Sequence, residues 1–181
     1  MNVAFPTWAV AAALERDPVE IEEECTELAR RWPFVRRAGY DDLPDGTRSD
    51  FYAFAHGLYR EVFYQRQPAA RRAKGHIRIA ERLGELFVGR EANVAREMAM
   101  HYEAAGNWQR AAIALRAAAR HAQQRQAYSE AAQLLEQTLR IAENLSEIDR
   151  RNVGQEIHDE LQTVRQAIEG TTRRGKLPRK T

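Results

Sequence analysis

The chain has 181 residues, 30% charged and 44% hydrophobic, with a formal net charge of +2. That length suits one ordinary domain or two small ones, and the balance excludes a disordered polyelectrolyte. No apolar run approaches the ~20 residues a membrane span needs. The opening residues lack the basic start of a secretory signal. The single cysteine, Cys25, excludes an internal disulfide and a multi-cysteine zinc site, so a cytoplasmic location is expected.

The first elements are short. Thr7 to Leu14 reads as a helix with Thr7 as its N-cap. Asp17-Pro18-Val19-Glu20 is a stronger start signal: a capping aspartate, a proline at the first helical position and a glutamate in the first turn. This second helix is expected to run to Arg31, with Val19, Ile21, Cys25, Leu28 and Ala29 as apolar positions. Trp32-Pro33 stops it. Phe34-Val35 reads as a short strand, Gly39 to Thr47 as a turn-rich loop with an Asp-Gly pair, and Phe51 to Phe54 as the returning strand.

From Gly57 onward the pattern is helical. Helices are expected over Gly57–Tyr64, Pro68–Phe87, Ala92–Ala105, Trp108–Gln123, Tyr128–Glu143 and Ser146–Ile168, each with apolar or alanine positions at three- and four-residue spacing. Gly106-Asn107-Trp108-Gln109-Arg110-Ala111-Ala112 is echoed by Gln126-Ala127-Tyr128-Ser129-Glu130-Ala131-Ala132. In both, an aromatic precedes an alanine pair by three residues. Small residues let helix backbones approach closely, the packing of stacked helical hairpins. Trp108 and Tyr128 read as packing residues. Beyond Gly170 nothing is periodic, and a disordered basic tail is expected.

Charge is segregated along the chain. Glu15 to Glu27 holds seven acidic residues and one basic; Arg60 to Arg90 holds eight basic and three acidic. The acidic run falls on the second helix, and Asp41, Asp42 and Asp45 fall in the loop. Such a surface repels duplex DNA, so the chain is not expected to read it. The five histidines, His56, His76, His101, His121 and His158, have no close metal-ligand spacing, and no metal is expected. Cys25, among glutamates, reads as a packed residue rather than a nucleophile.

The run Phe54-Ala55-His56-Gly57-Leu58-Tyr59-Arg60-Glu61-Val62-Phe63-Tyr64, with Arg71, His76 and the Ala105-Gly106-Asn107-Trp108 hairpin, resembles part of the bacterial STAND-type signal-transduction ATPases. These regulators join an effector domain, a P-loop ATPase, a winged helix and tetratricopeptide-like repeats. The resemblance spans Phe5 to Leu145, the region after the nucleotide-binding module. It implies that His56, in a motif reading Met-His-Asp in the family and Ala55-His56-Gly57 here, senses a nucleotide phosphate when an ATPase module is present. Two departures stand out. The chain has no G-x-x-x-x-G-K-[ST] loop, and two helices rather than three precede the wing.

The expected fold is mainly α: a truncated winged helix with a small β-hairpin over residues 1–66, tetratricopeptide-like hairpins over 67–169 and the tail over 170–181. The expected role is non-catalytic and without a cofactor, the repeats binding a protein partner or a small inducer through Gln109, Arg116, Arg120, Gln124 and Arg125. A free-standing adaptor is the rival reading, and a nucleic-acid-binding regulator a third.

Overall fold

Residues 4–175 are described in a computed structural model, with side chains described through residue 170. Among them are eight α-helices and a three-stranded antiparallel sheet. The chain divides into two compact units, Met1–Gly89 and Arg90–Thr181.

The first unit contains β1 (Ala4–Pro6), α1 (Thr7–Leu14), α2 (Pro18–Arg31), β2 (Val35–Asp42), β3 (Arg48–Phe54), α3 (Gly57–Arg66) and α4 (Ala69–Leu86). Its sheet has the order β1-β3-β2. The start of α2 forms as its sequence dictates: Asp17 Oδ1 accepts from the amides of Val19 at 2.8 Å and Glu20 at 3.3 Å. Ile21 and Cys25 are buried from this helix, but Val19 and Leu28 are exposed. The core joins Ala11, Ile21, Cys25, Val35 and Tyr52, with Phe5, Val10, Phe34 and Phe54 packed against them.

Several expectations are corrected here. β1 was not anticipated; three residues are too few to show alternation, and the strand exists because β3 accepts a partner on its second edge, with Phe5 opposite Tyr52. β2 extends far beyond Phe34-Val35. Only Val35 of this strand is buried, so backbone pairing with β3, rather than an apolar pattern, holds the rest. Thr7 is not the N-cap of α1: Pro6 occupies that position. Thr7 is instead buried, its hydroxyl donating to Glu22 Oε1 at 3.0 Å and sharing a hydrogen bond with Ser49 Oγ at 3.0 Å. The Asp-Gly turn is present, with Gly46 at φ +83° and the Leu43 amide donating to the Thr47 carbonyl at 2.7 Å.

α4, assigned from sequence to the repeats, packs on α1 in the first unit. Gly75 faces Ala13 in this contact; a Cβ there would meet Ala13 Cβ at 3.5 Å, an ordinary van der Waals distance. Arg78 Nη1 donates to the Ala13 carbonyl at 3.0 Å.

The second unit begins with a 3-10 turn, Glu91–Asn93, so the helix expected from Ala92 is shorter. It is α5 (Ala95–Ala104), followed by α6 (Trp108–Gln124), α7 (Tyr128–Ala142) and α8 (Glu147–Gly175). Each helix packs on the next. Ala99, Ala111, Ala119, Ala122, Ala131, Leu135, Thr138 and Ile157 are wholly buried. α8 continues past Gly170, where the sequence periodicity ends; the rest of the expected tail, 176–181, lies outside the described residues.

The two echoing segments form the same turn. Gly106 and Gln126 have φ of +70° and +61°. After Gly106 the Asn107 amide donates to Tyr102 O at 2.8 Å; after Gln126 the Ala127 amide donates to Ala122 O at 2.9 Å. This is the hydrogen-bond closure of a helix end in the left-handed conformation, which glycine adopts without strain and other residues at a cost of roughly 1–2 kcal/mol. A Cβ at Gly106 meets nothing within 4 Å, so only the backbone matters there. Gly106→Ala is therefore expected to lower stability by about 1 kcal/mol, and Gln126→Gly to raise it by a similar amount, read as opposite shifts of the urea midpoint.

Candidate partner-binding site

Of the side chains singled out for partner binding, Gln109, Arg116, Arg120 and Gln124 fall within an arc of about 80° on α6, and Arg125 follows in the turn. Gln109, Gln124 and Arg125 are exposed on α6 and the turn after it. Arg125 pairs with Glu130 at 3.3 Å, and Glu130 also lies 3.8 Å from Arg96 of α5. Arg116 and Arg120 are also engaged within the unit. They lie one helical turn apart on α6, and both reach Glu160 of α8.

Glu160 Oε1 accepts from Arg116 Nε at 3.0 Å and from Arg120 Nη2 at 3.1 Å. Arg116 also pairs with Glu156, one turn earlier on α8. The Glu160 side chain is only 22% exposed, and its Oε2 is buried without a hydrogen-bond partner among the described residues. Burial raises the carboxyl pKa. The hydrogen bonds from Arg116 and Arg120 and their charges outweigh this and hold it below the ordinary glutamate value. These two arginines therefore clamp α6 to α8, on either side of α7. Sequence reasoning missed this role because the clamp joins residues 40 and 44 positions apart.

The same unit also has a concave feature. A hollow of about 500 Å³ lies between α5 and α6, lined by Ala95, Met98, Tyr102, Arg110, Ile113, Ala114 and Ala117 among others. Ile113 is 64% exposed at its edge, and the Arg110 guanidinium lies 5.6 Å from the centre of the Tyr102 ring. The hollow is mostly apolar because α6 carries alanine on this side as well as on its packed side.

His56 sits between β3 and α3 as the N-cap of α3. Its Nδ1 accepts the Leu58 amide at 3.2 Å, which leaves Nε2 as the protonated nitrogen of the neutral ring. This is a structural role, and the outward N–H is compatible with an additional contact. His76 is half-buried against α3: its Nε2 and the Tyr64 hydroxyl are 2.9 Å apart. Burial lowers its pKa, as do the nearby charges of Arg60 and Arg72. Cys25 is buried. Burial raises its thiol pKa, and Glu24 and Glu22 add to the shift, so the thiolate is disfavoured. Among the described residues no group of three or more His, Cys, Asp or Glu is placed to hold a metal ion, and no helix is long and apolar enough to cross a membrane.

Two outcomes follow. Because the Glu160 pKa is lowered in the folded chain, its contribution to stability is fully present above the ordinary value of 4.5 and is lost as pH falls through the folded value. Glu160→Gln should lower the urea midpoint at neutral pH, and the gap from the wild type should narrow below about pH 4. His56→Ala removes a cap and is expected to cost about 1 kcal/mol, with faster amide exchange at Leu58, whereas His56→Asn retains most of the protection. Comparison with family models, with curated proteins and with solved structures finds no match to this chain.

Proposed function

We propose that this chain is a non-catalytic regulatory and protein-interaction region, in which the helical unit docks a partner or inducer. The observation that carries this reading is the α5–α6 hollow, with Ile113 exposed at its edge and a close-packed alanine array beneath. A ligand that prefers one arrangement of the helices over another would shift their populations, which is how a docking surface becomes a regulatory one.

The fuller version places this region in a STAND-type signal-transduction ATPase, coupling nucleotide state to partner binding. Three features support it. The element order β1-α1-α2-β2-β3 fits a winged helix without its first helix. The matching turns at Gly106 and Gln126 fit hairpin repeats. His56 has its Nδ1 occupied and its Nε2 N–H outward, an arrangement suited to donating to a phosphate oxygen. The second reading is a free-standing adaptor that uses the same hollow without an ATPase. DNA binding is disfavoured on this reading, because Glu20, Glu23 and Glu24 are exposed on α2 and a duplex would meet like charge.

The test is affinity capture with the full chain and with its Ile113→Glu variant. A partner retained by the wild type and lost from the variant supports docking at the hollow; equal recovery from both rejects it. The two readings separate on the size of the native polypeptide. A product far above 20.8 kDa with an in-frame P-loop favours the ATPase region, and a product at that mass favours the adaptor. In the first case His56→Ala should alter nucleotide release by the longer protein well beyond what the lost helix cap explains.

A further inference from the structure

In the first unit, α3 and the end of α2 border a cluster of aromatic rings that is anchored on one side and open on the other. Trp32 stacks on Phe34 at a centroid distance of 6.2 Å. Phe34 meets Tyr59 at 5.8 Å and Phe63 at 5.5 Å. Phe63 continues to Phe54 at 6.2 Å, and Phe54 packs against the core. The open side is apolar. Leu58 is 65% exposed and Trp32 53%, and Leu28, Tyr59, Val62 and Phe63 are each more than 40% exposed. Single exposed apolar residues are ordinary, but a contiguous group of this kind marks a contact surface.

The arrangement on α3 is one-sided. At 3.6 residues per turn, Leu58, Val62, Arg66, Tyr59 and Phe63 fall within an arc of about 140°. No residue of α3 is buried, although the helix is capped by His56 and tied to α4 through Tyr64 and His76. The stripe is thus presented on a held element, and the described residues do not cover it.

Charge narrows the occupant. Arg66 lies within the stripe and has no carboxylate partner among the described residues. Arg30 and Arg31 close α2 beside Trp32. The nearby carboxylates do not balance them. Glu27 is held by Arg30 through Nε and Nη2, both at 2.9 Å, and by Arg31. Glu61 falls outside the arc and takes a hydrogen bond from Gln65 at 2.8 Å. The surface therefore combines aromatic and aliphatic side chains with Arg66 and with an α2 end where two arginines share one carboxylate; aromatic residues and arginine are enriched at protein interfaces.

We propose that this face binds an acidic amphipathic helix of a partner protein, whose apolar side chains lie over Leu58, Val62 and Trp32 while its carboxylates meet Arg66 and the net positive end of α2. A second copy of the chain fits less well, since a two-fold pairing would bring the positive stripe against itself. A single-stranded nucleic acid also fits less well. Base stacking needs open ring faces along a continuous cationic track, whereas Phe34, Tyr59 and Phe63 pack on one another and the outermost anchors, Leu58 and Val62, are aliphatic.

The test uses the full chain and a fluorescein-labelled helical peptide of about five turns, with Leu along one face and Glu elsewhere. The comparison probes are its Lys-for-Glu counterpart and a fluorescein-labelled oligo(dT). By anisotropy, the Glu peptide is expected to bind at micromolar concentration and to weaken as salt is raised. Leu58→Glu and Arg66→Glu should each weaken it by about tenfold or more. The Lys peptide should not bind. Arg66→Glu retains the apolar stripe and so reads the charge alone, and circular dichroism checks that each variant is folded. The proposal is overturned by no saturable binding up to about 100 µM, by equal binding of the Lys peptide, by variants that bind as the wild type does, or by preference for the oligonucleotide. It is equally overturned by a dimer in sedimentation velocity that Leu58→Glu dissolves, since the face would then belong to a second copy.

Discussion

Close approach of helix backbones is the constraint on which the helical unit rests. Ala99, Ala111, Ala119, Ala122 and Ala131 are wholly buried, and each occupies a place where a larger side chain would push neighbouring helices apart. Because alanine contributes little apolar area, such packing draws on many short contacts rather than a few large anchors. Leu134, Leu135, Ile141, Ile157, Leu161 and Val164 supply the larger contribution and set α7 between its neighbours.

The Arg116–Glu160–Arg120 cluster acts within that frame. A carboxylate this sheltered is unfavourable by itself, and two guanidiniums one turn apart offset its desolvation with hydrogen bonds to a single oxygen. The cluster favours one register of α6 against α8, since displacement of either by a turn would leave Glu160 with at most one of its two donors. Charge in this unit thus serves helix alignment, while the hollow between α5 and α6 is mostly apolar.

The first unit solves a different problem. Its sheet has three strands, and much of β2 is exposed, so the sheet alone cannot enclose a core. Thr7, Ser49 and Glu22 form a buried or half-buried polar link joining α1, β3 and α2, and the Tyr52 hydroxyl shares a hydrogen bond with Thr26 of α2 at 2.9 Å. Aromatic rings from Phe5 through Phe54 to Phe34 fill the remaining space. The same aromatic run continues outward to the stripe on α3, so the device that completes the core also leaves apolar surface outside it.

Local chemistry was legible in the sequence wherever a few adjacent residues decide the outcome. The Asp17-Pro18 start of α2, the Asp45-Gly46 turn, the turn at Gly106 and the alanine stripes of α6 follow from capping, positive-φ preference and helical spacing, whereas the turn at Gln126 was legible only through its echo of the Gly106 segment. β1 and most of β2 were not legible, because three residues carry no period and an exposed strand held by backbone pairing carries no apolar pattern. Tertiary structure also decided the partner of α4, the burial of Thr7 and the use of Arg116 and Arg120. An apolar stripe states that a helix has a buried side but not against what, and a charged side chain's role depends on which opposite charge, many residues away, the fold brings within hydrogen-bond reach.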